Sequence, residues 1–263
     1  MNRTALITGA SSGIGLELAK LFAKDNYNLV LVARRKSQLE RLALELSKEY
    51  SISVTIIAKD LSLPSSPEEI FNELKEKSIH IDILVNNAGT QVYGKFHKTD
   101  IEKELQLIQV NLVSLTHLTK MAVAEMSKRG CGKILNIGST GSFTPSPLNA
   151  IYCATKAYVL NFSEGIAKDL EGTGITVTTL CPGATHTEFA EKAKMQNTRL
   201  FGSMVMNPDE VAKIGYRALI KGKRVVVAGL YNKLLVFSLR FTPRWLVLKI
   251  GKILLSPKSG VII

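Results

Sequence analysis

The sequence predicts an α/β fold: one doubly wound domain around a mainly parallel, seven-stranded sheet. Three observations support it. Short, continuously apolar runs such as Leu29-Val-Leu-Val-Ala33 recur along the chain, as strands buried on both faces require. Apolar residues at helical spacing fill the stretches between them. Neither an internal repeat nor a low-complexity linker interrupts the 263 residues, a length that suits one large domain or two small ones. Alternating strands and helices without a linker select a single domain.

Ala5 to Thr8 is the first strand. Gly9-Ala-Ser-Ser-Gly-Ile-Gly15 follows at once, and Leu16, Leu18, Ala19, Leu21 and Phe22 then recur at helical spacing to about Lys24. A glycine loop between strand and helix is the context a phosphate cradle needs. Glycines there permit a tight turn, close approach of a pyrophosphate and close packing of helix on sheet. The helix start offers the anion free N–H groups and the positive end of its dipole. A plain glycine-rich turn would need no ligand, so the second strand matters. Leu29 to Ala33 ends without the acid that holds a bare adenosine ribose. Arg34 and Arg35 stand there instead, and two guanidiniums suit the 2′-phosphate form of the dinucleotide. A solvated basic helix start is the plainer alternative.

Ser37 to Glu49 reads as a helix with Leu39, Leu42, Leu44 and Leu46 as its apolar positions. Ser53 to Lys59 is the third strand and ends in Asp60-Leu61. Pro67 opens a helix that reaches about Ser78. Ile81 to Val85, the fourth strand, ends in Asn86-Asn-Ala-Gly89, small and amide residues suited to a close ligand. One long helix is predicted from Asp100 to about Lys128, with Asn111 in its middle. Asparagine is poor inside a helix and costly when buried, so Asn111 is either a satisfied core amide or a functional break. Lys133 to Ile137 is the fifth strand, ending in Gly138-Ser139-Thr140, and a helix runs from about Ile151 to Leu170. Ile175 to Leu180 is the sixth strand, ending in Cys181-Pro182-Gly183, and Val225 to Ala228 is the seventh. Ligands of such sheets bind beyond the carboxyl ends of the strands, where all these motifs sit.

Within the helix after the fifth strand, Tyr152 and Lys156 are i and i+4 and share one face. A nearby cation favours phenolate and lowers a tyrosine pKa from about 10, which makes the pair an acid–base device. A lysine snorkelling over a ring would look the same in isolation.

Taken together, Thr8-Gly9-x-x-x-Gly13-Ile-Gly15, Asp60-Leu61, Asn86-Asn-Ala-Gly89, Asn111, Ser139, Tyr152-x-x-x-Lys156 and Pro182-Gly183 resemble the short-chain dehydrogenase/reductase family in its classical form. The order matches, and Ser139 stands thirteen residues before Tyr152 as the pattern expects. The resemblance covers the chain to about residue 228 and implies a Rossmann-type domain. Val32-Ala33-Arg34-Arg35 and the basic tail resemble a bacterial reductase-type subgroup.

The resemblance implies hydride transfer between a nicotinamide and a carbonyl or alcohol carbon. Tyr152 would act as acid or base, Ser139 would polarise the substrate oxygen, and Lys156 would hold the nicotinamide ribose and lower the Tyr152 pKa. Asn111 would bind an ordered water through a local helix distortion. Gly9, Ser11, Ser12, Ile14 and Gly15 would face the phosphates, and Arg34, with Arg35, the 2′-phosphate. Asp60 and Leu61 would edge the adenine, and Asn87, Ala88 and Gly89 its ribose. Pro182, Gly183, Thr185 and Thr187 would cover the nicotinamide. NADP(H) is expected over NAD(H), no metal is expected, and a homodimer or homotetramer is implied. A catalytically silent nucleotide sensor or scaffold on the same fold is the alternative, opposed by the intact catalytic set.

Residues 188–208 fall where this family places a substrate loop. Glu188 to Met195 reads as a short helix, and Leu200, Phe201, Met204, Val205 and Met206 as an apolar lid or ordinary packing. Residues 229–263 form a basic extension. All 22 acidic residues precede Val211, whereas 11 of the 34 Lys and Arg follow it. The net charge of +12 therefore describes the tail. Arg244 to Leu255 is amphipathic, with Arg244, Lys249, Gly251 and Lys252 on one arc and Trp245, Leu246, Val247, Leu248, Ile250, Ile253 and Leu254 on the rest. Arg240, Pro243, Arg244, Lys249 and Lys252 interrupt it too often for a membrane span. The tail either lies on an anionic membrane surface or packs on the pocket or a second subunit, with packing preferred. No nucleic-acid motif accompanies its charge. Three scattered cysteines and a strand already begun by Met1 to Thr8 fit a cytoplasmic protein without a signal peptide.

Overall fold

The computed structural model of the chain describes residues 3–188, 195–202 and 205–258. Seven strands form its sheet: β1 (Thr4–Thr8), β2 (Asn28–Ala33), β3 (Val54–Ala58), β4 (Ile83–Asn86), β5 (Gly132–Ile137), β6 (Ile175–Cys181) and β7 (Val225–Val227). Their order is β3-β2-β1-β4-β5-β6-β7, and every pairing is parallel, not merely most of them. The order reverses beside β1, which is the switch point of a doubly wound sheet.

The strands alternate their side chains between two cores. Ala5, Ile7, Leu29 and Leu31 join Leu18, Phe22 and Leu39 on one face. Leu6, Val30, Val32 and Ile57 join Leu74, Leu118 and Met126 on the other. Period-two geometry thus explains why these strands are apolar at every position. Helices α1 (Gly13–Lys24) and α2 (Lys36–Tyr50) feed the first core, and α3 (Ser66–Glu76) and α5 (Leu115–Arg129) the second.

The helix predicted from Asp100 to Lys128 is one helical stretch with a defect. α4 (Ile101–Ile108) leads into a π-helical turn over Gln109–Ser114 and then into α5. The Asp100 carboxylate caps its start by accepting from the Glu102 N–H at 3.0 Å. α6 (Ala150–Asp169) carries Tyr152 and Lys156. A further helix, α7 (Pro208–Ile220), was not among the elements expected from the sequence. Its signals are a capping box, Asn207 with Glu210, Pro208 in its first turn, and a buried stripe of Val211, Ala212, Gly215, Ala218 and Leu219. α8 (Leu230–Ser238) and α9 (Arg244–Leu255) make up the C-terminal segment. Residues 189–194 of the short helix expected over Glu188 to Met195, and the lid residue Met204, lie outside the described residues. Among the described residues no helix is long and apolar enough to cross a membrane.

The glycine loop is locked by contact as well as by dihedral angle. Gly9 and Gly13 adopt φ of +67° and +57°, where a Cβ is strained. Gly15 has ordinary helical geometry, but a Cβ there would fall 2.4 Å from both Asn87 Nδ2 and the Gly9 carbonyl oxygen. Gly15→Ala should therefore destabilise the fold by about 1–3 kcal/mol, the usual cost of overpacking. Urea unfolding of the variant tests this; a midpoint equal to that of the parent protein would show that the contact yields.

Candidate active site

The parallel sheet puts the carboxyl ends of its strands on one edge, and a cleft of about 520 Å³ opens there. One wall is the first half of the fold. Gly9, Ser11, Ser12 and Ile14 line it from the glycine loop, Arg34 and Arg35 from the end of β2, and Asp60 and Leu61 from the end of β3. Asn87, Ala88 and Gly89 complete it from the end of β4. The opposite wall holds Ser139, Tyr152 and Lys156, with Pro182, Gly183, Thr185 and Thr187 after β6. Two predicted residues, Gly15 and Asn111, do not line the cleft. Gly15 packs the loop onto Asn87, and Asn111 sits behind the wall.

The two loops nearest the switch point are tied together by one hydroxyl. Thr8 Oγ1 accepts from the backbone N–H of Asn87 and of Ala88, both at 3.0 Å, and donates to the Val85 carbonyl at 3.2 Å. Asn87 Nδ2 donates in return to the carbonyls of Thr8 and Gly9 at 2.9 and 3.1 Å. The two arginines differ in how they are held. Arg34 is exposed at the rim, with Asp60 at 3.8 Å. Arg35 reaches across the loop and donates to Ser11 Oγ and Ser12 Oγ at 3.1 and 3.0 Å and to the Glu188 carboxylate at 2.8 Å.

Lys156 is only 4% exposed, and its Nζ donates to the Ile137 carbonyl at 2.7 Å, at the end of β5. Ser142, which the sequence did not single out, fixes the backbone on either side. Its Oγ accepts from the Ser139 N–H at 3.1 Å and donates to the Lys156 carbonyl at 2.7 Å. Ser139 Oγ accepts from the Gly141 N–H at 3.0 Å and also hydrogen-bonds Tyr152. Lys156 Nζ lies 5.7 Å from the Tyr152 ring centroid.

Electrostatics follow from burial. Burial pulls the Lys156 ammonium down to about 8. Burial likewise pushes the Tyr152 phenol well above its usual range, with the Ser139 hydrogen bond pulling the other way. The lowering expected from the lysine neighbour is not found in the protein alone: the Ser139 hydrogen bond is what pulls Tyr152 down, and desolvation outweighs it. Burial also raises the thiols of Cys153, to about 11, and Cys181, to about 12, so neither is an activated nucleophile.

Asn111 occupies the π-helical turn and is 1% exposed. Its amide is satisfied by Thr90, accepting from the N–H and donating to the carbonyl, both at 2.9 Å, and it donates to Thr155 Oγ1 at 3.3 Å. The helix distortion is present, and its amide braces the loop after β4 against α6. Thr185 and Thr187 direct their hydroxyls to the backbone of their own loop, at Gly183 and Thr185.

The third wall comes from the C-terminal segment, with Leu235, Ser238 and Leu239 from α8 and Val247, Ile250 and Leu254 from α9 among its residues. Packing on the pocket was one of the readings open for the tail. Met195, Leu200 and Phe201 reach the same space, whereas Val205 does not line it and Met206 packs against the main core. Tyr93 ties α9 down by donating to the Leu255 carbonyl. Asn232 ties α8 down: it is buried, donates to the Ala228 carbonyl at 2.7 Å, and sits where a Cβ on Gly183 would fall, at 2.5 Å. The predicted separation of a basic arc from an apolar remainder is not found in α9. Gly251 lines the cleft, while Trp245, Leu248 and Ile253 are exposed like Arg244, Lys249 and Lys252.

Comparison with known proteins agrees with the fold. The profile of the short chain dehydrogenases matches residues 3–198. An NADP-dependent 3-hydroxy acid dehydrogenase of Schizosaccharomyces pombe is 31% identical over 234 residues, 86% of this chain and 90% of its own. A short-chain dehydrogenase from Sphingobium yanoikuyae in complex with NADPH superposes with a TM-score of 0.83 at 35% identity, covering 91% of this chain and 92% of its own. A bulky-bulky ketone specific alcohol dehydrogenase from Comamonas testosteroni gives 0.77 at 32% identity, covering 91% and 93%.

The buried lysine has a pH signature. Its folded pKa of about 8 lies below the 10.5 of an ordinary lysine, so the unfolded chain binds more protons between those values. Its contribution to the unfolding free energy therefore rises with pH across that window. The stability difference between the parent protein and Lys156→Met should move in favour of the parent as pH rises from about 8 to 10.5. Denaturant titrations at several pH values measure it, and a flat difference would contradict a desolvated ammonium.

Proposed function

The chain belongs to the short-chain dehydrogenase family, as an oxidoreductase of alcohol and carbonyl groups that works with a nicotinamide cofactor, and on that premise we propose that it is an NADP(H)-dependent reductase of apolar ketones or dehydrogenase of the matching secondary alcohols. The observation that carries the proposal is the hydrogen-bonded Ser139–Tyr152 pair beside buried Lys156, facing the glycine loop across one cleft.

The residues fit a dinucleotide. A Cβ at Gly13 would fall 3.0 Å from Thr187 Cγ2, and one at Gly89 would fall 3.3 Å from Asn111 Oδ1 and 3.8 Å from Lys156 Nζ. The cleft is kept open where side chains would close it. Ser11, Ser12 and Ile14 stand at the helix start for the phosphates, and Arg34 and Arg35 for the 2′-phosphate. Lys156 would hold the nicotinamide ribose hydroxyls, and Pro182, Gly183, Thr185 and Thr187, which line the same cleft, would cover the ring. When bound, the nicotinamide gives or takes the hydride. In reduction, Ser139 and Tyr152 donate hydrogen bonds to the carbonyl oxygen, where negative charge develops, and Tyr152 then gives that oxygen its proton. In oxidation, Tyr152 takes the proton back. The Lys156 cation favours Tyr152 phenolate in both directions. Asn111, through Thr90 and Thr155, holds the loop and helix that carry these groups.

Two things support an apolar substrate. Leu200, Phe201, Leu235, Leu239 and Leu254 furnish the third wall, and the Comamonas relative bears the name of a bulky-ketone enzyme. A homodimer or homotetramer remains our expectation from family likeness, read by light scattering.

Tyr152→Phe should lower kcat by about 10²–10⁴-fold while the variant still binds NADPH. Near-normal turnover would sink the mechanism, and tight NADPH binding without turnover by the parent protein on any ketone would favour a nucleotide sensor. Arg34→Asp should reduce the preference for NADPH over NADH by at least about tenfold, the value of roughly 1.4 kcal/mol of lost phosphate contact. An unchanged preference would remove Arg34 from the 2′-phosphate site. Across a carbonyl panel, kcat/KM should be higher for aryl and long-chain ketones than for small polar ones.

A further inference from the structure

The two C-terminal helices have a second face. On α8 and the turn after it, Leu235, Ser238, Leu239 and Thr242 turn toward the cleft, spaced i, i+3, i+4, i+7. Leu230, Leu234, Phe237 and Phe241 form a different stripe, spaced i, i+4, i+7, i+11, and all are exposed. On α9, Val247, Ile250, Gly251 and Leu254 face the cleft. At about 100° per residue, Trp245, Leu248 and Ile253 lie on the other side, among Arg244, Lys249 and Lys252. The exposure is large where it counts: Phe241 is 75% and Trp245 65% exposed. Phe237 and Phe241 pack edge to face at 5.5 Å, and exposed apolar stripes of this kind mark an interaction surface.

Charge selects the partner. Lys233, Arg240, Arg244, Lys249 and Lys252 are all exposed beside these apolar side chains, and no acidic residue follows Glu210. A two-fold dimer through this surface would set the same basic stripe against itself. An anionic bilayer instead receives both parts: apolar side chains enter the acyl boundary, tryptophan sits at the interface, and Lys and Arg meet the head groups. We propose that the outer faces of α8 and α9 lie on an anionic membrane surface. The cleft is then separated from lipid by the thickness of one helix, and an apolar substrate reaches it from the bilayer. Docking itself requires neither cofactor nor turnover, so it stands or falls independently of the proposed reaction.

Trp245 is the single tryptophan of the chain and reports directly. Full-length protein is mixed at low ionic strength with phosphatidylglycerol/phosphatidylcholine vesicles and with pure phosphatidylcholine vesicles. The expected result is co-sedimentation and a blue-shifted Trp245 emission with the anionic vesicles only, reversed by salt. Lys249→Gln with Lys252→Gln should weaken vesicle binding about thirtyfold, two charges at about 1 kcal/mol each. The same variant should turn over a water-soluble ketone at the parental rate, which shows that it is folded. An unchanged emission with anionic vesicles would overturn the proposal. So would a blue shift that grows with protein concentration in the absence of lipid, which would identify a second copy as the partner.

Discussion

A buried ammonium governs this site. Lys156 places a cation where solvation is lost, at a cost of several kcal/mol for an ion of its size. The carbonyl of Ile137 recovers part of that cost. This one bond requires the end of β5 to stop beside α6 at a fixed height. Ser142 then holds the Lys156 backbone from below, and its N–H acceptor role positions Ser139. The Tyr152 phenol, its Ser139 partner and the Lys156 cation are thereby placed by main-chain geometry rather than by flexible side chains.

The parallel sheet supplies the other half of the arrangement. Strands that all run one way present all their carboxyl ends together, so loops distant in sequence converge without long connections. Close approach depends on what is missing as much as on what is present. Gly9, Gly13 and Gly15 leave space for backbone and ligand, and Thr8 joins the two loops beside them with a single hydroxyl. The π-helical turn at Asn111 belongs to the same economy of positions: it turns a core helix so that one amide braces the loop after β4.

The fold and the paired motifs were legible because their signals are local. A buried strand followed by a glycine, amide or serine loop declares both its type and its ligand-facing end within a few residues, as Ala5–Gly15 and Ile83–Gly89 do. Ser142 was not legible, since its bond to the Lys156 carbonyl depends on where the chain returns fourteen residues later. α7 is announced both by a capping box and by the buried stripe Val211, Ala212, Gly215, Ala218 and Leu219, but this stripe is built largely of small residues and reads weakly as apolar. α8 and α9 were ambiguous for a physical reason. Apolar residues occupy both the cleft side and the exposed side, so periodicity could not choose an inward face. The opposing effects on Tyr152 were equally hidden, because burial is a property of the assembled walls.

Asn232 and Gly183 have a consequence for how such a chain can vary. The asparagine fills the volume a side chain at 183 would need, and it anchors the helix that walls the cleft. A side chain cannot be added at position 183 while Asn232 stays as it is. The loop after β6 and the C-terminal extension therefore constrain each other in sequence. An exchange that brings this tail into a relative, by recombination or by design, requires glycine at the position of Gly183.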